Sequence, residues 1–338
     1  MVGDLSVTRV CDTGCFDLPE WPHLARQDRD GHIFQTPEWN RLWWEEFSHG
    51  KDICVLSMGG DAGVEAIVPL YRKLEEGRRV LRFVGGIDLT DYLGPICSAS
   101  DRDRVASGLV RWLAADELGW DEFDAHNMPV PFGFAEYLVD HADREGFVFK
   151  LEQEETSAVL PLPDDWDTYV ASLDGKDRHE LRRKLRRLER EHPDARVRTS
   201  TPESLERDLR TFVAMHRGAQ GHKGHFLSPG MATFFARVAR CFSERDWLRL
   251  DLLEVGGRAL AATFSFERDG RFYLYNSAFE PEARRLSPGF VLVAQLVRRA
   301  IEARVKTFDF LRGPERYKYQ LGAAPVPLNN VRILNQRA

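Results

Sequence analysis

Ser287-Pro288-Gly289 stands immediately before a helical pattern made by Phe290, Val293, Ala294, Val297 and Ile301. A turn that feeds straight into a helix presents unbonded backbone N–H groups at the positive end of the dipole, which suits a phosphate. Asp309 lies between Phe308 and Phe310 in an apolar run that reads as a buried strand. A carboxylate there must be paired or carry a raised pKa, and either makes it useful. His216 ends a helical stretch and carries a side chain suited to acid–base work near neutrality, although a lone histidine at a helix end also serves purely structural ends. Asn276 and Ser277 interrupt an aromatic run, as residues do at a β-bulge or at the end of a strand. Lys176 to His192 holds eight Lys/Arg against four acids around Leu181, Leu185 and Leu188. It reads as a solvated amphipathic helix or, more sharply, as a surface for a polyanion.

These residues need elements to position them. Trp247 to Val255, Arg258 to Glu267 and Arg271 to Phe279 are apolar, alternating runs separated by Gly256-Gly257 and Arg268-Asp269-Gly270, the pattern of antiparallel hairpins. A polar loop follows from Glu280 to Arg285, then the helix from Phe290 to Arg304, then a strand from Val305 to Leu311 stopped by Arg312-Gly313-Pro314. The same β-β-β-α-β order occurs earlier: Asp52 to Met58, Val64 to Tyr71, Arg78 to Val84, a helix from Asp103 to Leu118 and a strand from Trp120 to Ala125. Phe123-Asp124 stands in the first copy where Phe308-Asp309 stands in the second, which reads as an internal duplication. Thr36-Pro37 and Thr201-Pro202 each look like the capped start of a helix. Gly218 to Gly230 reads as a loop, and the polar stretch Glu152 to Glu155 parts two domains, 1–155 and 156–338.

At 338 residues, with 43% apolar and 30% charged residues, the chain has room for two globular domains. No apolar run is long enough for a membrane helix, and no signal-peptide pattern opens the sequence, so no membrane insertion is expected. Five cysteines without regular spacing fit a reducing cytoplasm, and the absence of matched Cys/His pairs leaves no metal site to expect. A net charge of −6 argues against nucleic-acid binding by bulk electrostatics. The nucleotide-binding Gly-x-x-x-x-Gly-Lys, the metalloprotease His-Glu-x-x-His and the esterase Gly-x-Ser-x-Gly patterns are absent.

Three antiparallel strands, a loop, a helix and a further strand resemble the core of the GNAT N-acyltransferases. Tyr273-Leu274-Tyr275 through Ser287-Pro288-Gly289, Phe308 to Gly313 and Tyr317 to Gly322 look like the FemAB-like, CelD/BioF2-type branch, whose members carry two GNAT domains in tandem. The resemblance implies an α/β (α+β) fold of two such domains, each a mixed, mainly antiparallel sheet flanked by helices. It implies acyl transfer from acyl-CoA, acetyl-CoA in the simplest case, to the amine of a small molecule, sugar or peptide by direct attack. Two alternatives stay open: a Fem-like aminoacyltransferase fed by aminoacyl-tRNA, and a non-catalytic module with this fold. The stretch corresponding to the usual pyrophosphate signature, Arg284 to Phe290, holds one glycine, and Pro288 has no N–H to give, so fewer backbone donors are available.

By this resemblance, backbone N–H groups around Tyr275, Asn276 and Ser277 hold the thioester carbonyl, while Arg284, Arg285, Ser287, Gly289 and Phe290 hold the rest of the donor. Asp309, His216 and Glu315 are the candidate bases. Tyr317 or Tyr319 is the candidate acid for the leaving thiolate, and Asp91, Tyr92, Arg217 and Lys318 are candidate acceptor-binding residues.

Overall fold

The computed structural model describes residues 5–28, 30–60, 63–218 and 228–336. Most of the stretch read as a glycine-rich loop, 219–227, lies outside the described residues. The chain forms two compact units, Met1–Thr156 with Val326–Ala338, and Ser157–Pro325. The division falls beside the polar stretch Glu152 to Glu155. The C-terminal segment 326–338, read from sequence as part of the second domain, groups with the first unit instead.

In chain order the first part holds β1 (Ser6–Val10), α1 (Glu20–Gln27), α2 (Pro37–Phe47), β2 (Lys51–Gly60), β3 (Gly63–Glu75), β4 (Arg78–Phe83), β5 (Ile96–Cys97), α3 (Arg102–Ala115), β6 (Glu122–Pro129), α4 (Phe134–Arg144) and β7 (Val148–Pro161). Then come α5 (Trp166–Ser172), α6 (Gly175–Glu191), β8 (Arg196–Thr199), α7 (Leu205–Gly218), α8 (Pro229–Ser243), β9 (Leu248–Val255), β10 (Arg258–Arg268) and β11 (Arg271–Phe279). A 3-10 turn (Pro281–Leu286) leads to α9 (Pro288–Glu302), β12 (Thr307–Arg312), α10 (Arg316–Gln320) and β13 (Ala324–Leu334).

Both units repeat one topology. In the first, β2, β3 and β4 are antiparallel neighbours, and β6 lies parallel to β4 with Leu81 opposite Phe123. In the second, β9, β10 and β11 are antiparallel, and β12 lies parallel to β11 with Phe272 opposite Phe308. A parallel neighbour needs a crossover, supplied by α3 in one unit and α9 in the other. An antiparallel strand completes each: β13 beside β6, and the end of β7 beside β12. The hairpins turn where the sequence puts glycine, Gly256 at φ +56° and Gly270 at φ +75°, backbone that L side chains resist.

Helix α9 buries Phe290, Val293, Ala294, Val297 and Ile301 against the second sheet, with Leu253, Ala261, Phe272, Leu274 and Phe308 in the same core. Thr36 caps α2 by accepting the Trp39 N–H at 3.3 Å, as its sequence implies. The second such start is displaced. Thr201 donates its N–H to Ser204 Oγ at 2.9 Å, and α7 begins only at Leu205. No helix among the described residues is long and apolar enough to cross a membrane.

Asp124 and Asp309 occupy the same place in the two copies but keep different company. Asp124 binds Arg82 at 3.0 Å, Asn330 at 3.0 Å and His126 Nε2 at 2.9 Å, while His126 Nδ1 lies 2.6 Å from Glu154. Burial alone would lower the His126 pKa, yet these two carboxylates raise it to about 9.

Candidate active site

The site starts from a defect in the sheet of the second unit. Phe264 of β10 faces Asn276 of β11, but Phe266 faces Tyr273, so two steps along β10 match three along β11. The extra residue falls at Leu274–Tyr275, which makes this a β-bulge, slightly before Asn276 and Ser277 where the sequence places it. The parallel pairing of β11 with β12 holds only from Arg271↔Thr307 to Tyr273↔Asp309. Beyond that the strands part. Asp309 contributes to the parting: its Oδ1 accepts the Leu311 N–H at 2.9 Å, and Leu311 sits at φ +58°, turning the end of β12 aside.

A cavity of about 260 Å³ fills the gap, lined by Leu274 to Ser277 from β11, Phe310 and Arg312 from β12, His216 from α7, and Glu315, Tyr317 and Lys318. A second cavity, about 600 Å³, runs along the start of α9 and is lined by Ser277, Ala278, Phe279, Pro281, Arg284, Ser287 to Phe290, Val293, Lys184, Glu315, Tyr317 and Gln320. Ser277, Glu315 and Tyr317 belong to both, so the two cavities meet at these three side chains.

The larger cavity can hold an anion at one end. The first helical bond of α9 runs from the Val291 N–H to Ser287 O at 3.0 Å, leaving the Gly289 and Phe290 N–H groups without partners inside the helix. Arg284 is close at hand, and Lys184 Nζ lies 3.8 Å above the Phe290 ring. Phe279, Pro281, Phe290 and Val293 supply an apolar wall. A Cβ on Gly289 would sit 3.4 Å from Phe279 Cδ1, at the mouth of this groove. The left-handed residue of the turn is Ser287, at φ +53°, and Gly289 itself has no such angle, so its lack of a side chain matters for space and not for conformation. Gly289→Val is therefore expected to weaken binding of a phosphate-bearing ligand in this groove about tenfold or more while leaving the melting temperature almost unchanged. Titration calorimetry beside a thermal melt checks this, and an unchanged affinity in the variant would move the anion site elsewhere.

At the junction, Tyr317 is half-buried on α10 and its hydroxyl is hydrogen-bonded to Ser277. Burial and then the neighbouring Glu315 push its pKa above the ordinary tyrosine value, so the phenol stays protonated. Glu315 Oε2 lies 3.0 Å from Lys318 Nζ. Lys318 is 2% exposed, and its ammonium also donates to the carbonyl oxygens of Leu311 at 3.1 Å, Arg312 at 2.5 Å and Gly313 at 3.2 Å. That contact set makes Lys318 the pin of the turn that carries Glu315 and Tyr317. Only glycine suits position 313, where φ is +117° and a Cβ would lie 2.3 Å from Glu315 Oε2. His216, buried in the last turn of α7, reaches the cavity beside Phe212, their rings 5.9 Å apart.

Several expected residues are not among those lining the two cavities. Asp309 lines neither cavity; it is fully buried, with Arg271 Nη1 3.8 Å away, and shapes the strand end. Tyr317 and Tyr319 both pack on the core of the second unit, but only Tyr317 lines the cavities. The Arg285 side chain turns to Glu191 at 2.8 Å, and its carbonyl accepts from Arg187 at 2.9 Å, so it ties α6 to the 3-10 turn. Arg217 is exposed at the end of α7 and lines neither cavity. Asp91 and Tyr92 belong to the first unit, where the Tyr92 ring meets His32 at 5.4 Å. Sequence reasoning missed Lys184 and Arg312. Lys184 could have been found by its place between Leu181 and Leu188 on the inward side of α6; nothing in the sequence singles out Arg312.

Residues 175–319 match the acetyltransferase (GNAT) domain family. Among solved structures the chain is similar to FemX, with 14% identity, a TM-score of 0.68, and 97% of this chain and 98% of that one covered. A conserved protein of unknown function from Bacteroides thetaiotaomicron VPI-5482 aligns at 13% identity and TM-score 0.60 over 94% and 97% of the two chains. A C-terminal DUF2156 domain from Agrobacterium fabrum aligns at 11% identity and TM-score 0.58 over 96% and 92%. A search of curated protein sequences gave no match. The fold is thus that of the GNAT-type acyltransferases.

Proposed function

We propose that the second unit is an N-acyltransferase of the FemAB-like, CelD/BioF2-type branch that takes acyl-CoA in the groove along α9 and passes the acyl group to an amine in the 260 Å³ cavity. The observation that carries this reading is the meeting of the two cavities at Ser277, Glu315 and Tyr317, beside a sheet bulge. The donor supplies the acyl group on a thioester. The chain positions both partners for direct attack, which needs no protein nucleophile. The Ser277 N–H is occupied by Asn276 Oδ1 at 2.8 Å, so stabilising the oxyanion falls to the other N–H groups of Tyr275 to Ala278. Glu315 is the carboxylate at the junction that can accept the proton of the attacking amine, with Lys318 fixing its position. Tyr317, kept protonated, gives a proton to the leaving sulfur.

A second reading, transfer from aminoacyl-tRNA, is favoured by one feature. Arg178, Arg182, Arg186 and Arg190 recur every four residues on α6 and line a recess of about 430 Å³. Arg183 is committed to Glu180 at 2.7 Å, Arg187 to the Arg285 carbonyl and Arg190 to Glu191 at 3.3 Å, so Arg182 and Arg186 are the apt positions for charge reversal. Under the tRNA reading, their change to Glu abolishes tRNA binding, and wild-type affinity falls with salt at a log–log slope of about −0.7 to −0.9 per phosphate. Under the acyl-CoA reading, the double variant keeps its activity. A thiol-release assay with acetyl-CoA over a panel of amines, run beside tRNA binding at two salt concentrations, separates the two. Salt-sensitive tRNA binding without CoA binding would overturn the acyl-CoA reading.

A further inference from the structure

Asp251 stands between Leu250 and Leu252 of β9 and is 2% exposed, with Thr199 Oγ1 donating to its Oδ1 at 2.6 Å. Its Oδ2 has no hydrogen-bond partner, and neither has Thr263 Oγ1, 1% exposed. The strand register explains why these two matter together. Thr199 of β8 faces Asp251 of β9, Asp251 faces Thr263 of β10, and Thr263 faces Ser277 of β11. Register partners in antiparallel strands project from the same face of a sheet, with Cβ atoms about 5 Å apart. One polar row therefore crosses four strands beneath α9 and ends at Ser277, whose hydroxyl is bonded to Tyr317 at the junction of the cavities. A rotation about χ1 of Thr263 brings its hydroxyl toward either neighbour.

We infer that Asp251 sets the direction of a hydroxyl row, Thr263–Ser277–Tyr317, and so decides whether Tyr317 turns its proton or its lone pair toward the reacting atoms. Each hydroxyl donates one hydrogen bond and accepts others. An ionised Asp251 accepts from Thr263, Thr263 from Ser277, and Ser277 from Tyr317, which leaves the phenol oxygen as an acceptor in the cavity. A protonated Asp251 donates to Thr263, the row reverses, and the phenol proton is free for the leaving sulfur. Asp251 lines neither cavity, so it is a positioning residue that acts through the other three. The charges around it are Arg299 of α9 at 3.7 Å, Arg249 on its own strand and Glu267 on β10. Burial outweighs them and raises its pKa to about 6, where both states are populated near neutrality.

This inference rests on the acyltransferase reading for its chemical meaning, but the row can be tested without turnover. In protein labelled with ¹³C at the tyrosine Cζ, the Tyr317 signal, assigned by its loss in Tyr317→Phe, is expected to show an inflection near pH 6. That inflection is expected to vanish in Asp251→Asn and in Thr263→Val, a near-isosteric change that keeps the fold even if the first variant does not. The pH profile of kcat is expected to lose its inflection in the same two variants. An inflection unchanged in Thr263→Val, or absent from the wild type, overturns the row. An inflection lost as expected in a protein that acylates no amine supports the row and sinks the acyltransferase reading alone.

Discussion

Lys318→Met is expected to cost about 3 kcal/mol or more of folding stability and to lower thiol release on the order of a hundredfold. The ammonium is buried and serves three carbonyl oxygens together with Glu315. Methionine fills much of the same volume but donates nothing. Breaking a buried charge contact from one side leaves the other side desolvated and unpaired, which costs roughly 3–5 kcal/mol. The turn it pins holds Glu315 and Tyr317 at the junction, so loss of the pin misplaces the two residues proposed to carry protons. Misplacement of about an ångström costs on the order of a hundredfold in rate. Denaturant unfolding without any substrate separates this from the acceptor-binding role expected of Lys318 from sequence. A variant as stable as wild type, with only a raised KM for the amine, would return Lys318 to substrate recognition.

Repetition made the fold legible. The strands of the second unit are largely apolar runs whose turns carry glycine at positive φ, so β9, β10 and β11 lie within a residue or two of their expected bounds. The first copy was readable by the same order of elements. What escaped was structure with no local signature. Burial of Lys318 depends on three carbonyls that converge only when Gly313 turns the chain at φ +117°. The return of 326–338 to the first unit depends on pairing with β6, a partner about two hundred positions earlier in the register Val331↔Ala125.

The candidate site was legible where its chemistry needed the backbone and less so where it needed particular side chains. Ser287, Gly289 and Phe290 fall in one groove, as the helix-start argument implies. Asp309 was singled out as an acid in an apolar strand, yet it lines neither cavity. Asp251, flanked by Leu250 and Leu252, carries the same signal, and its Oδ2 is one of the buried polar atoms without a hydrogen-bond partner. The difference between the two lies in their partners. Asp309 spends an oxygen on the Leu311 N–H, whereas Asp251 faces Thr263.

Tyr317→Phe is expected to lower kcat about a hundredfold to a thousandfold with little change in CoA affinity or stability. The phenyl ring keeps the contact with Phe310, whose centroid lies 6.3 Å away, so packing at the junction survives. Only the hydroxyl is lost, and with it the hydrogen bond to Ser277 and the proton for the leaving sulfur. General acid catalysis by a positioned side chain contributes roughly 10²–10⁴ in rate, and a thiolate needs less help than an alkoxide, which favours the lower half of that range. The loss should appear in kcat and in kcat/KM equally, since the proton is given only in the transition state. The same change at Tyr319 is the control: it lies off both cavities, and Tyr319→Phe should leave kcat within about twofold, the scale of an ordinary surface or rim substitution. Steady-state thiol release for the two variants decides the assignment. Equal losses in both, or a normal kcat in Tyr317→Phe, would remove Tyr317 as the acid and transfer the role to a group the geometry puts next in line, His216.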